Sequence, residues 1–300
     1  MTVAPFVLVA VYWILCYNYC NQMKKIDCTK LINSLTKLIA KANVTVDTVA
    51  TTKLRECLAK ETAPHSKWAL EQIVDNIDIA TKTNSPACQD TGMAVFFVKL
   101  GQNVRIKGGL LTDAINQAIR LAYVDNYFRL SIADPLTRTN TGDNTPAIIH
   151  IELVDGDTFE IDFLAKGAGA ENMSSQYMLR PGDGNKGIIS AVIDCVKSAG
   201  SNPCPPIAIG IGIGGNMEAS CILAKKALLR IGEPHNDTKI ATLENDILTA
   251  VNALNIGAMG FGGNSTAYGV AIETYPTHIG MLPIAINLQC HSARHFRLVM

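Results

Sequence analysis

The stretch SPACQDTGMAVFFV, Ser85 to Val98, sets a thiol, an amide and a carboxylate side by side. Cys88, Gln89 and Asp90 stand at the mouth of an apolar run that reads as a buried strand, with Thr91 and Gly92 completing a turn. A thiolate in such a turn can serve as a metal ligand. Cys204 in SNPCPP and Cys290 in QCHSAR also lie in polar turns at predicted strand ends, whereas Cys57, Cys195 and Cys221 fall within helical apolar patterns. Three loop thiolates could converge on one metal centre. Three suit an iron–sulfur cluster with one open iron, because a full set for electron transfer would be four. The competing reading is that these cysteines are unrelated, each a small buried hydrophobe.

The remaining cysteines add little. Nine of them, at positions 16, 20, 28, 57, 88, 195, 204, 221 and 290, form an odd, scattered set without a CxxC pair. That excludes a compact disulfide framework, and it argues against a zinc finger or a thioredoxin-like site.

Other polar, glycine-rich turns surround the same strand ends: NTGDNTP at 140–146, KGAGAEN at 166–172, GIGIGGN at 210–216 and GFGGN at 260–264. Loops on a rigid scaffold carry function more often than core strands do. GIGIGG follows a strand and precedes a helix, but its spacing is GxGxGG and not the dinucleotide GxGxxG. The nearest acidic residue for a ribose, Glu233, is followed by Pro234 in a turn. A carboxylate-binding or close-packing turn at a helix N-terminus is the better reading.

Periodicity supplies the elements that must position these loops. Apolar spacing predicts helices over Ile26–Asn43, Thr45–Lys60, Pro64 to about Thr83, Leu110–Leu130, Gly187–Ala199, Met217–Arg230 and Lys239–Asn255. Strands are predicted at Met93–Leu100, Pro206–Ile213, Tyr268–Glu273 and Leu282–Leu288. Ile148–Val154 and Thr158–Leu164 alternate around Asp155-Gly156-Asp157, which predicts a hairpin. The expected class is mixed α/β (α+β): a mixed sheet with surrounding helices and a helical N-terminal region.

Composition narrows the partners. The 300 residues are 48% hydrophobic, ample for a sizeable core, and Lys plus Arg balances Asp plus Glu at 26 each. No net field exists to gather nucleic acid or anionic lipid, so a small-molecule role is favoured. Residues 1–22 carry no charge, and Val3–Tyr19 is nearly long enough to span a bilayer. The basic start and small-residue cleavage site of a secretory signal are not seen. Translation beginning at Met23, a membrane anchor with Lys24 and Lys25 on the cytoplasmic side, and a packed helix are the three readings. Membrane contact is expected only if that extension is translated; the functional body is residues 23–300.

Taken in order, ACQDTG at 87–92, NTGDNTPA at 140–147, KGAGAEN at 166–172, CPP at 204–206, IGIGGN at 211–216 and CHSAR at 290–294 resemble the class I fumarase and tartrate dehydratase family. More narrowly, the chain resembles the α subunit of the two-subunit form, from about Met23 to the C-terminus. The resemblance implies an oxygen-sensitive 4Fe–4S cluster with a non-redox role, held by Cys88, Cys204 and Cys290. It implies a substrate site that includes Gln89, Asp90, Arg129 (in YFRLSIADP), Gly169 and His278 (in YPTHIG), with Arg129 pairing a substrate carboxylate and Asp90 orienting a hydroxyl or water. Ala168 departs from the glycine of many relatives. The family's second functional part, which carries the catalytic base, has no counterpart here, so a separate β subunit is expected. The implied reaction is reversible hydration of fumarate to malate. The alternatives are L-tartrate dehydration and, in another class, a non-catalytic iron–sulfur or redox-sensing scaffold. A reducing cytoplasm suits free thiols and an exposed cluster.

Overall fold

A computed structural model describes residues 23–300. The expectations for residues 1–22 lie outside that range. Among the described residues no helix is long and apolar enough to cross a membrane.

A short strand, β1 (Lys24–Asp27), precedes three helices: α1 (Cys28–Val44), α2 (Thr48–Lys60) and α3 (Pro64–Thr83). Asp27 caps α1 by accepting from Lys30 N, and Asp47 caps α2 by accepting from Val49 N and Ala50 N. Pro64 opens α3, and Asn84 closes it in the left-handed region at φ 54°. The chain continues through β2 (Met93–Gly101), β3 (Val104–Lys107), α4 (Leu111–Asp125), β4 (Ile148–Val154) and β5 (Phe159–Lys166). The second half holds β6 (Ser175–Leu179), α5 (Gly184–Ala199), β7 (Ile207–Gly214), α6 (Met217–Ala227), α7 (Thr238–Asn252), β8 (Ala267–Tyr275), β9 (Leu282–Gln289) and β10 (His295–Val299).

β1 and β3 pair in parallel, and the other strands form two mixed sheets ordered β10-β5-β2-β4 and β6-β9-β7-β8. The first sheet is backed by α1 and α4. Leu31, Leu35 and Ile39 recur at helical spacing and pack with Ile115 and Ile119 against Phe96, Ile161 and Phe163. The second sheet packs Ile209, Ile211 and Ile286 against Val192 and Val196 of α5 and Ile247 and Val251 of α7. A third core joins the two, with Val95, Phe97 and Leu164 meeting Ala208, Leu228 and Ala271 under α2 and α3. β2 therefore buries alternate residues in two cores, which explains its unbroken apolar run.

The mixed α/β class is as expected, with one correction of topology. β4 and β5 are not a hairpin: β2 lies between them, parallel to β4 and antiparallel to β5. The end of β2 fills the turn that would have joined them. Gly101 N donates to Thr158 O at 2.7 Å, and Asn103 N donates to Gly156 O at 2.9 Å. A Cβ on Gly101 would stand 2.4 Å from Gly156 O, so only glycine passes beneath the turn. Helix α4 also stops earlier than predicted, at Asp125, because Tyr127 turns to φ 56° and directs the chain into the Arg129 loop.

The glycines of GIGIGG lie mostly inside β7, where they serve close packing. A Cβ on Gly212 would meet Ser220 O at 2.1 Å, and one on Gly210 would meet Ala224 O at the same distance. Helix α6 thus rests directly on the strand backbone. Gly212→Ala is expected to cost about 1–3 kcal/mol or more by forcing the two apart, read as a lower urea midpoint.

Glu61, buried at 4% exposure, binds the α3 entry to the 260–264 loop. Its carboxylate accepts from Thr62 N, Ala63 N and Asn264 N at 2.9–3.0 Å. Burial works to raise its pKa, but those amides outweigh burial and hold it below the ordinary value. The stabilisation is therefore present above the unfolded pKa and lost as pH falls through the folded one. Glu61→Gln is expected to lose about 1–3 kcal/mol at neutral pH. The gap to the parent should close as pH drops below 4.5 in a series of denaturant titrations.

Candidate active site

The two large sheets meet at strand ends, and the three loop cysteines gather at that seam. Cys88 precedes β2; Cys204 precedes β7; Cys290 follows β9, whose Gln289 pairs with Ala208. The Cys88 turn is fastened from behind by Ala87 N donating to Asn43 O and Asn76 Nδ2 donating to Ala87 O, both at 2.9 Å. Cys204 occupies the left-handed region at φ 58°, ahead of a cis Pro205-Pro206 bond. Its carbonyl accepts from His291 Nδ1 at 2.9 Å, which links the Cys204 loop to the residue after Cys290. A carbonyl can only accept, so Nδ1 carries a proton, and burial draws the His291 pKa below the usual histidine value.

All three cysteines are free and partly buried. Their thiols lie within electrostatic reach of one another. Burial raises Cys204 first, and the neighbouring Cys290 and Cys88 raise it further. Burial likewise raises Cys290, with Arg294 acting in the opposite sense and Cys88 adding to the rise.

Among the described residues no three His, Cys, Asp or Glu side chains could hold a single metal ion. One ion needs every ligand at about 2.0–2.3 Å from a single point. A cluster that gives each thiolate its own iron makes no such demand, and thiolates are the donors it takes. Around Cys290, Gln289 Oε1 and Nε2 and Ser292 Oγ are buried without a hydrogen-bond partner. Buried polar atoms of this kind are rare unless a bound group or water completes them. The donor set and the orphaned atoms fit an iron–sulfur group.

The expected substrate residues divide into those the fold brings to the seam and one it does not. Asp90 is held by two backbone amides, Gly92 N on Oδ1 at 3.1 Å and Ala168 N on Oδ2 at 2.8 Å. A Cβ on Gly167 would stand 3.2 Å from Asp90 Oδ2, so the KGAGAEN turn presses directly on that carboxylate. Gln89 is exposed beside it, and exposed Gly169 lies against the Cys204 loop, its Cβ position 3.5 Å from Asn202 O. Thr91 Oγ1 donates to Arg129 O at 3.0 Å, fixing the Arg129 loop to the Cys88 turn. The Arg129 side chain is exposed. Asn144 of NTGDNTP is fully buried, donating to Gly92 O and accepting from Ser131 N. His278 lies elsewhere. It follows β8, whose last residue Tyr275 pairs with Gly214, while Cys204 precedes the other end of β7. Eight strand residues, about 26 Å at 3.3 Å each, separate the two ends. Within one chain His278 does not join the cysteines.

The seam also holds charged residues that periodicity left without a role. Lys166, 3% exposed, ends β5, donates to Leu288 O at 2.7 Å and pairs with Glu171 at 3.0 Å. Lys225 binds the other oxygen of Glu171. Burial alone would raise Glu171, but Lys166 and Lys225 hold it at about 2. Arg294, with no exposure at all, donates to Asp90 O at 2.7 Å and to Asn43 Oδ1 and Ser292 O at 3.3 Å each. The available signal was a lysine closing an apolar strand and an arginine inside the last cysteine motif.

Residues 32–299 match the model of the fumarate hydratase (Fumerase) family. A protein of Methanocaldococcus jannaschii provisionally named L(+)-tartrate dehydratase subunit alpha is 41% identical over 273 residues, covering 88% of this chain and 95% of the relative. The L(+)-tartrate dehydratase subunit alpha of Escherichia coli K12 is 31% identical over 288 residues, covering 93% and 95%. The same subunit of Shigella sonnei matches equally, at 31% over 288 residues. With its motifs in order and nearly its full length matched, the chain belongs to the fumarate hydratase family and is a hydro-lyase.

Proposed function

We propose that this chain is the α subunit of a two-subunit 4Fe–4S hydro-lyase that reversibly hydrates fumarate to malate. Cys88, Cys204 and Cys290 would hold the cluster, and a companion β subunit would complete the site. The observation that carries this reading is the meeting of three cysteine loops from distant parts of the chain at one seam, beside a turn built of Gln89 and Asp90. When bound, the open iron of such a cluster is a Lewis acid for a hydroxyl or a carboxylate.

The chain's own residues bind and orient. Asp90 spends one lone pair of each oxygen on a backbone amide. That leaves acceptor sites, in a fixed direction, for the proton of a water or hydroxyl. Arg129 offers a planar fork to one substrate carboxylate, and Gly169, without a side chain, lets the substrate approach the backbone. A proton alpha to a carboxylate is weakly acidic, and preorganised positive charge at that carboxylate stabilises the carbanion as it forms. The group that removes the carbon-bound proton belongs to the companion subunit. The cytoplasm, where thiols stay reduced, is the proposed compartment.

The names of the relatives favour a second reading, in which the substrate is L(+)-tartrate. Malate and tartrate differ by one hydroxyl, which sites distinguish with one or two polar groups.

The test begins with anaerobic reconstitution of the full chain with iron and sulfide. About four irons per chain are expected, lost in Cys88→Ser, Cys204→Ser and Cys290→Ser alike. Iron that is absent, or indifferent to these cysteines, rules the reading out. With the companion subunit present, Arg129→Ala is expected to keep its iron and lose about 10- to 100-fold in kcat/KM, as for a hydrogen bond to a charged group. Asp90→Asn should also keep its iron and lose turnover. Full activity in both variants would leave only an iron–sulfur scaffold. Parallel assays with fumarate and L(+)-tartrate separate the two substrates.

A further inference from the structure

The charge balance at the seam is uneven. Arg55, Arg120, Arg230 and Arg297 each pair with a carboxylate within 4 Å. Arg294 is more deeply buried than any of them, yet among the described residues it has no such partner. Its acceptors are two carbonyls and an amide oxygen, all neutral. The Asp90 carboxylate lies close by, since a Cβ on Gly167 would stand 3.2 Å from its Oδ2 and 4.0 Å from Arg294 Nη2. It makes no ion pair with the guanidinium, and its hydrogen bonds go to the amides of Gly92 and Ala168. On the other side, Lys166 and Lys225 share the single carboxylate of Glu171. Burying a cation is costly unless negative charge lies close by. Beyond Asp90, the groups that can add negative charge are the cysteine thiols: Arg294 reaches the carbonyls two residues past Cys88 and two past Cys290, and Lys166 reaches Leu288 O, two residues before Cys290.

Arg294 is also a mechanical tie. One guanidinium reaches the carbonyl two residues past Cys88 and the carbonyl two residues past Cys290. Its own carbonyl accepts from Ala165 N, the residue before Lys166. Through it the turns that carry two of the three thiols are tied to each other and to the end of β5.

Resting on the iron–sulfur reading above, we propose that Arg294 is a positioning residue of the cluster site. It locks the Cys88 and Cys290 turns together and supplies the counter-charge to the anionic centre that the three thiolates hold.

Cluster potentials depend on nearby charge and hydrogen bonding, a readout that folding alone does not move. A cation close to the cluster favours the reduced, more negative form, so its removal lowers the midpoint potential. The experiment compares the anaerobically reconstituted full chain with Arg294→Gln, which keeps an N–H for Asp90 O without the charge, and Arg294→Lys, which keeps the charge without the fork. Iron content, circular dichroism and the midpoint potential, followed by the EPR signal of the reduced cluster, are measured for each. The expected result is a lower potential and faster cluster loss in Arg294→Gln, with the potential close to the parent's in Arg294→Lys. Assembly of a cluster in the Lys variant but not in the Gln variant supports the same conclusion. Equal potentials in all three overturn the counter-charge. Failure of both variants to assemble a cluster while the parent does overturns it also, leaving Arg294 a purely structural fork. A parent chain that takes up no cluster overturns the proposed function itself, and this inference with it.

Discussion

A guanidinium with no access to solvent joins the two halves of this fold. Arg294 reaches the turn after Cys88, the turn after Cys290 and Asn43 on the first long helix, so three segments far apart in sequence share one buried donor. Such a group is tolerated only when its hydrogen bonds are made and its charge is answered. The geometry around it follows from that demand. The Cys88 turn is also fastened by Asn43 and Asn76, the Arg129 loop by Thr91, and the Asn140–Pro146 loop by Asn144. These bonds fasten the loops that present side chains to a small substrate.

The sheets decide where this happens. β5 and β9 both run toward the seam, and β2 and β7 both start from it, so residues just outside four strands converge. The loops that carry the chemistry are thus anchored on hydrogen-bonded strand ends. The cost is seen at glycine. Gly101 beneath its turn and Gly212 under α6 stand where a Cβ has no room, and one on Gly167 would be tight against Asp90. Close backbone approach, more than conformational freedom, accounts for these positions.

Electrostatics then distinguishes this seam from an ordinary buried junction. Cations outnumber carboxylates there, and several buried polar atoms beside Cys290 have no protein partner. A core built only for stability would pair or exclude such groups. A site that takes an anionic group and a dicarboxylate substrate has reason to keep them, since preorganised positive charge is what a carbanion next to a carboxylate requires.

Local patterns in the sequence determined much of this protein. Helices α1, α2 and α3 follow from apolar spacing and their caps, and the strand at Met93–Leu100 from its continuous apolar run. The polar cysteine turns stand out because Gly, Pro and Asp cluster between those elements. Family membership was legible for the same reason, since it resides in short contiguous motifs. What tertiary structure alone decided is non-local. β1, β3, β6 and β10 are short, and their pairing depends on partners distant in the chain. The apparent hairpin of β4 and β5 was undone by β2, because strand alternation records which face is buried and not which neighbour supplies the hydrogen bonds. His278 lies in a polar loop as the cysteines do, yet strand direction carries it to the opposite end of the sheet. Arg294 and Lys166 look in sequence like ordinary charged residues, and their burial arises only when two sheets close over them.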